Sequence, residues 1–425
     1  MRAYVLTPYS WQRDSAVAGS IHRDPESRLE EALGLASAID VDLLGGELVD
    51  TRTIQPSTFF GGGKVEQLKT RVESEGIGLY VVDAALTPIQ QRNLETRLKT
   101  KVIDRTGLIL EIFGARASTR EGVMQVELAH LSYQKSRLVR SWTHLERQRG
   151  GAGFLGGPGE RQIESDRRML DEKIVRLKRQ LEDVRRTRSL HRQSRKQSPH
   201  PVVALVGYTN AGKSTLFNRL TGAGVLSADQ LFATLDPTLR NIILPSGKKV
   251  ILSDTVGFVA DLPTLLVAAF RATLEEVLEA DLILHVRNSA APDFQAQYED
   301  VINVLGELGV PAMDEGGTPT IEVLNKSDLL DDETLSLILD RAERTGQELA
   351  TVSALTGEGC AALIDRIDAH FRADDIWVSR FVPYSDGKTL AAIEAHGDIE
   401  QRREVGEGVW ITLRISPIDF GRLDR

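Results

Sequence analysis

Cysteine is almost missing from this chain. Its one thiol, Cys360, excludes an internal disulfide and any cysteine-built zinc cluster, and it suits a reducing compartment. Cys360 stands at the start of a helix-like run, GEGCAALIDRI, and reads as a small buried residue. No apolar run approaches the ~18 residues that a membrane-crossing helix needs. The opening MRAYVLTPYSWQRDS also shows no charged-then-apolar targeting pattern. A soluble, cytoplasmic monomer without membrane insertion is expected. Net positive charge is lacking as well. The formal charge of −9 argues against a surface that coats nucleic acid as a whole, yet leaves room for a local basic patch.

What is present divides into four segments. A length of 425 residues suits two to four domains, at roughly 100–200 residues each. Residues 1–115 alternate strand-like runs (AYVLTPY, VDLLGGELV, GLYVVDA, KVIDR) with runs of helical spacing, which predicts an α/β N-terminal domain with a parallel sheet. Thr87-Pro88 reads as a helix start, an N-cap followed by proline. Residues 116–198 change character. Met124, Leu128, Leu131, Leu138, Trp142 and Leu145 fall at alternating spacings of three and four, broken only by Lys135. Ile163, Leu170, Ile174, Leu177, Leu181 and Val184 repeat the rhythm, broken only at Arg167. Such spacing is the seam of a coiled coil, and the glycine-rich stretch 149–160 between the runs is expected to be a non-helical tip. A long antiparallel helical hairpin follows, ending in a one-sided basic run from Arg185 to Lys196. Residues 199–375 alternate again, with VVALVG, VILSD, DLILHVR, TIEVLN and LATVSA as the strands. Residues 376–425 predict a small α+β domain whose final hairpin turns at Gly406-Glu407-Gly408.

The third segment carries the chemistry. GYTNAGKST, Gly207 to Thr215, fits the phosphate-binding loop G-x-x-x-x-G-K-[ST], and it follows an apolar strand and opens a helix, as that loop must. Glycines let backbone N–H groups converge on phosphate oxygens, and the helix N-terminus adds partial positive charge. Lys213 is placed to bridge the β- and γ-phosphates and Ser214 to ligate magnesium. In LFATLDPTLR, Thr234 is the candidate to close over magnesium, with Thr238 as its competitor. Asp254 would hold the metal through water, and the Gly257 N–H would meet the γ-phosphate. NKSD, Asn325 to Asp328, offers a carboxylate that pairs with the ring N–H and exocyclic amine of guanine but not with adenine. SAL, 353–355, would put the Ala354 N–H on the guanine carbonyl. These motifs in order predict GTP as substrate and GDP as product. The pocket is expected to comprise Gly207, Tyr208, Thr209, Asn210, Ala211, Gly212, Lys213, Ser214, Thr215, Phe232, Ala233, Thr234, Asp254, Thr255, Val256, Gly257, Asn325, Lys326, Asp328, Ser353, Ala354 and Leu355, with Lys213, Thr234 and Gly257 closest to the reaction.

One more absence belongs here. The residue after Gly257 is often a glutamine that orients the attacking water; in this chain it is Phe258. A ring there packs beneath the second switch or simply leaves the water without a side chain, so intrinsic turnover should be slow, with positioning supplied by another group or a partner. Asn210 is placed either to help hold a monovalent cation, potassium, beside the phosphates or to stabilise the loop. FFGGGKV, 59–65, lacks phosphate-loop spacing and reads as a structural turn or a weak contact loop, so the N-terminal domain shows no adequate motif for ATP.

As a whole the chain resembles the HflX ribosome-associated GTPases. FFGGGKVEQL, DAALTPIQQRNLE, the long stretch from VIDRTG to AHLSY, RQRGGAGFLGGPGE and SDRR are similar to that family's N-terminal and hairpin signatures, and GYTNAGKSTLFNRLTGA, LFATLDPT, DTVGFVADLP and FRATLEEV to its GTPase core. Arg161, Val123 and Asn288 depart from residues common in the family. The resemblance implies a GTPase that binds the large ribosomal subunit, reaches toward rRNA near the peptidyl transferase centre with its hairpin, and in the GTP state splits stalled or idle ribosomes. Candidates for that contact are Gly150, Gly151, Gly153, Phe154, Gly156, Gly157 and Arg161 at the tip, with Arg167, Arg168, Arg185 and Arg186 along the arm. Arginines suit phosphate contacts, and glycine lets backbone approach nucleotides closely. Rival readings are a GTP-dependent factor that assembles rRNA, and a protein–protein switch with no RNA role.

Overall fold

The computed structural model describes residues 1–10, 23–148, 158–195, 200–222, 232, 234, 238–260, 276–310, 317–345, 348–415 and 420–421. Near the N-terminus, β1 (Arg2–Tyr9) is apolar and buried on both faces, the signature of a strand inside a parallel sheet. It lies between β2 (Asp42–Asp50) and β3 (Leu79–Val82), and β4 (Lys101–Asp104) completes a parallel sheet of order β2-β1-β3-β4. Helices α1 (Pro25–Ser37), α2 (Gly62–Glu75) and α3 (Pro88–Leu98) join these strands. Thr87 caps α3 in a reciprocal capping box with Gln90, as the Thr87-Pro88 pair predicts. The glycine run at 61–63 is not a turn between other elements. Gly61 is the N-cap of α2, and Gly62 is its first residue.

The sequence pattern did not anticipate α4 (Arg105–Arg116), capped by the Asp104 side chain and buried at Leu108, Ile109, Leu110, Ile112 and Phe113. It leads into the arm: α5 (Arg120–Gln148) and α6 (Pro158–Arg195). Met124, Leu131, Ile174, Leu177 and Leu181 bury one another along the predicted seam, with Leu128, Leu170 and Val184 packed against them. Lys135, which breaks the seam, pairs with Asp171 across the hairpin. The side chains of Trp142, Leu145 and Ile163 lie outside the described residues. Pro158 starts α6, so residues 158–160 are helical rather than part of the glycine-rich loop; proline suits a first helical turn, where its missing N–H has no partner to lose.

The second sheet has the order β10-β9-β8-β5-β7-β6: β5 (Val202–Val206), β6 (Thr238–Ile243), β7 (Lys249–Asp254), β8 (Leu282–Asn288), β9 (Thr320–Asn325) and β10 (Leu349–Thr351). All neighbours are parallel except β6, an antiparallel edge. The sequence reading missed that edge because its polar, half-exposed residues carry no apolar run. Helices α7 (Lys213–Thr221), α8 (Phe294–Glu307), α9 (Asp332–Thr345) and α10 (Cys360–Phe371) accompany this sheet, and Cys360 is buried. The last unit is an antiparallel sheet β11-β13-β12, built from β11 (Ile376–Pro383), β12 (Asp398–Val405) and β13 (Gly408–Ile415), with α11 (Gly387–His396) against one face. Gly406, at φ 58°, makes the predicted hairpin turn.

The two α/β units meet through a buried ionic network. Arg105, on α4, pairs with Asp83 and Glu31 and donates from Nη2 to the Ala260 carbonyl at 3.0 Å. Burial alone would lower the pKa of this guanidinium, but Asp83 and Glu31 outweigh it and hold the group charged. Glu31 also accepts from the Tyr208 hydroxyl, which in turn accepts from the Ala260 N–H at 2.7 Å. Burial and Glu31 keep that hydroxyl protonated. Replacing Arg105 with alanine removes the nearest cation from buried Asp83 and half-buried Glu31 and leaves only the longer pairs to Arg28, at 3.8 Å, and Arg23, at 3.6 Å, so the expected cost is up to about 3–5 kcal/mol. Chemical denaturation of the intact protein checks it: a loss below about 1 kcal/mol would mean the network carries no such constraint.

Candidate functional site

The P-loop turns tightly around two glycines that no other residue can replace. Gly207 has φ 153°, and a Cβ there would lie 2.1 Å from the Val286 carbonyl oxygen. Gly212 has φ 88°, and its Cβ would strike the Asn325 side chain, also at 2.1 Å. The loop delivers Lys213 into a buried position, where Nζ donates to the Gly207 and Tyr208 carbonyls at 3.0 and 2.8 Å. Burial lowers its pKa to about 8, against the opposing pull of Asp254. Burial raises the Asp254 carboxyl in turn, against hydrogen bonds from Ser214 and Thr234 and the charge of Lys213.

Three predicted oxygens converge. Asp254 Oδ2 accepts from Ser214 Oγ and from Thr234 Oγ1, both at 2.7 Å, and the two hydroxyls lie 2.8 Å apart. Of the two candidate threonines, Thr234 lies in this cluster, and Thr238 begins β6, paired in register with Asp254. Asp254 Oδ1 is buried without a hydrogen-bond partner among the described residues. An orphaned carboxylate oxygen beside two hydroxyls is a hard, all-oxygen donor set, which fits magnesium.

A cavity of about 400 Å³ opens over this cluster. Thr209, Asn210, Gly212, Lys213, Ser214, Thr215, Phe232, Thr234, Thr255, Gly257, Asn325, Lys326, Asp328, Ala354 and Leu355 line it, as does Leu329, which the sequence reading did not name. Asn325 ties two walls together, donating to the Ala211 carbonyl at 2.8 Å and accepting from the Ala354 N–H at 2.9 Å. Ser353 Oγ accepts from the Thr356 N–H at 3.1 Å within the same turn. The remaining predicted residues stand behind the cavity: Val256 is in the core, and the Tyr208 side chain points to Glu31. Ala233 lies outside the described residues. Asn210 adopts φ 57°, and its Oδ1 accepts from Lys326 Nζ at 3.3 Å. Phe258 is 2% exposed and packs with Val256 and Val259.

Two positioning contacts were not legible beforehand. Arg219, on α7, donates Nε to the Ala354 carbonyl at 3.2 Å and its terminal nitrogen to Leu355, bracing the base-side loop. Arg116, at the end of α4, donates to the Phe232 carbonyl, and Phe113 meets the Phe232 ring edge-on at 4.8 Å. Both involve partners more than a hundred residues away, where local pattern says nothing.

The fold and the cavity define a P-loop GTPase. Residues 202–326 match the family described as "50S ribosome-binding GTPase", residues 26–114 "GTP-binding GTPase N-terminal", and residues 116–195 "GTP-binding GTPase Middle Region". GTPase HflX of Magnetococcus marinus is 50% identical over 409 residues, covering 96% of this chain and 93% of the relative. GTPase HflX of Escherichia coli is 43% identical over 396 residues, covering 93% and 91%. The crystal structure of the SsGBP–GDP complex superposes with a TM-score of 0.52 at 25% identity, covering 87% of this chain and 98% of that one. The chain belongs to the HflX family of GTPases. Among the described residues, no helix is long and apolar enough to cross a membrane.

The buried lysine predicts a pH dependence. Phosphate must bind the charged ammonium, whose pKa in the empty site is about 8. A bound polyphosphate raises that pKa, so above pH 8 binding takes up a proton and weakens by up to tenfold per unit, whereas below it affinity is flat. Titration with GDP between pH 7 and 9 measures this, and a constant Kd across that range contradicts it.

Proposed function

We propose that GTP binding and hydrolysis in this pocket govern the engagement of the helical arm with the large ribosomal subunit, and that the GTP state separates stalled or idle ribosomes into subunits. The observation that carries this reading is the Arg116–Phe232 contact. Arg116 ends the helix that leads into the arm, and Phe232 is two residues from Thr234, so the root of the arm bears on the first switch. Closure of Thr234 over a bound nucleotide moves the carbonyl that Arg116 holds. The match of residues 202–326 to "50S ribosome-binding GTPase" supports the choice of partner.

In this reading Lys213 turns from its own loop carbonyls to the β- and γ-phosphates. The Gly257 N–H reads the γ-phosphate, and Asp328, Ala354 and Asn325 hold the guanine. Ser214 and Thr234, with Asp254 through water, would hold a magnesium ion, which neutralises charge on the phosphates. Phe258 lies in the core and cannot orient water, so hydrolysis is slow until the ribosome completes the site. Asn210 is assigned a potassium ion, which would displace the Lys326 ammonium from Oδ1. That assignment predicts faster GTP turnover in potassium than in sodium buffer; equal rates remove it.

Arg167 and Arg168 are exposed on α6, where Arg168 also pairs with Glu164 at 2.6 Å, and Arg186 is exposed further along. An exposed i,i+4 pair is weak enough to yield to a phosphate. The side chains of Arg161 and Arg185, and all of Gly150, Gly151, Gly153, Phe154, Gly156 and Gly157, lie outside the described residues. Sedimentation of ribosomes tests the proposal. With a non-hydrolysable GTP analogue, whole ribosomes should fall to subunits with the protein on the large one, and with GDP they should not. Binding confined to immature particles would favour the assembly role, and no co-sedimentation a protein–protein switch.

A further inference from the structure

The chain has four tryptophans, and two of them, Trp377 and Trp410, stand 57% and 46% exposed on the C-terminal sheet. Strand register explains the arrangement. Trp377 opposes Arg414, Ser379 opposes Thr412, and Phe381 opposes Trp410, so these residues share one face. Arg403 flanks Trp410 from the other side. The alternate positions, Val382, Val409, Ile411 and Leu413, turn to the opposite face and bury themselves with Ile393 of α11. The sheet thus has its core on one side and does not need the aromatic side to fold. An antiparallel sheet with one covered face normally shows polar residues on the other. Here three large rings face solvent on one sheet face, and a cluster of exposed rings, unlike scattered single apolar residues, marks an interaction site.

The chemistry of the patch selects its occupant. Phe381 and Trp410 sit 5.9 Å apart between ring centroids, forming one aromatic station, and Trp377 forms another. Four residues at ~3.3 Å rise separate Trp377 from Phe381 by about 13 Å, room for two distinct stacks. The centre between them is a hydroxyl pair, Ser379 and Thr412, 2.9 Å apart. Guanidinium groups stand at the rim. Arg403 is exposed, and Arg414, half-buried, lies 6.0 Å over the Trp377 ring with Nη2 donating to the Arg372 carbonyl at 2.5 Å, which leaves its other N–H groups for a phosphate. Asp398, which pairs in register with Arg414, is held by Arg372 at 2.6 Å. Open rings, hydrogen-bonding hydroxyls and arginines in this order match flat bases, base edges and phosphates, the way sheet surfaces take single-stranded RNA. An apolar protein surface would leave the hydroxyls and guanidinium groups unused.

We propose that this face binds unpaired RNA, stacking bases on Trp377 and on the Phe381–Trp410 pair and meeting backbone phosphates with Arg403 and Arg414. The proposal rests on the ribosomal reading for the source of that RNA, and oligonucleotide binding separates the two. The full-length protein is titrated with a 4-thiouridine-containing single-stranded RNA octamer at high salt, where phosphate contacts elsewhere are screened. Tryptophan fluorescence should be quenched, and photocrosslinks should fall within 376–415. The double variant Trp377→Ala, Trp410→Ala should raise the Kd by about tenfold or more, with nucleotide affinity unchanged. Trp377→Phe with Trp410→Phe should stay within about threefold, since a ring still stacks. Unaltered RNA affinity in the alanine variant, or crosslinks confined to other segments, overturns the proposal. So does an alanine variant that keeps the RNA but loses RNA-free ribosomal proteins, which makes the face a protein dock. Octamer binding through this face without ribosome co-sedimentation would sink the ribosomal reading and leave this one standing.

Discussion

A closed ring of buried contacts joins the nucleotide site to the N-terminal unit: Arg105 to Glu31, Glu31 to Tyr208, Tyr208 to the Ala260 N–H, and the Ala260 carbonyl back to Arg105. Taking charges out of water is costly, and a well-made buried ion network roughly breaks even against apolar packing. Its consequence is therefore geometric more than energetic. Arg105 is saturated only when Asp83, Glu31 and a main-chain carbonyl all occupy fixed places. One member of the ring belongs to a moving part of a GTPase, since Ala260 lies just beyond Gly257, whereas Tyr208 anchors the ring as the second residue of the P-loop. A shift of that second switch must break two hydrogen bonds to the N-terminal unit or carry the unit with it. Where such contacts have two discrete arrangements, a small displacement at a phosphate becomes a rigid-body response.

The arm extends that logic. Its helices bury a narrow seam of leucine, isoleucine and methionine against each other, and α5 packs a second face, Val126, Ala129 and Tyr133, on the N-terminal unit, where Tyr133 and Arg137 also bond Asp104. Its root is fastened at α4, where Phe113 and Arg116 hold Phe232 in a left-handed conformation at φ 57°, an uncommon state for a bulky side chain. Strain of this kind persists where surrounding contacts over-determine it. The first and second switches thus both touch one α/β unit, and that unit carries the arm.

Much of this was legible because it is local. The phosphate loop declares itself through spacing and through the strand and helix that flank it, the Thr87 cap through four adjacent residues, and the hairpin through a rhythm sustained over many turns. The missed parts lack such signals for physical reasons. Helix α4 is buried around most of its circumference, so its apolar residues show little periodicity. Strand β6 is a half-exposed edge whose polar residues resemble a loop. Tyr208 and Glu31 are 177 positions apart, and Arg219 meets Leu355 across 136; only the fold brings such pairs together. The competition between Thr234 and Thr238 was likewise a question of direction, which spacing does not give; in the fold it is the Thr234 hydroxyl that lies beside Ser214 and Asp254.

Phe258 shows how backbone direction limits what a side chain can do. Its N–H donates to the Gly207 carbonyl at 3.1 Å and its carbonyl accepts from the Thr209 N–H at 2.7 Å, so the main chain here is stitched to the P-loop. That stitching sends the side chain away from the cavity and into the core. A glutamine on the same backbone would be buried too, its amide unable to reach a water beside the γ-phosphate. The missing glutamine is therefore more than a missing functional group, because in this conformation the position itself is withdrawn from the chemistry. Rapid hydrolysis then requires either that the stitch open, which disturbs Ala260 and its ring of contacts, or that an outside group supply the positioning. In the first case turnover is coupled to the arrangement of the N-terminal unit, because Arg105 holds the Ala260 carbonyl.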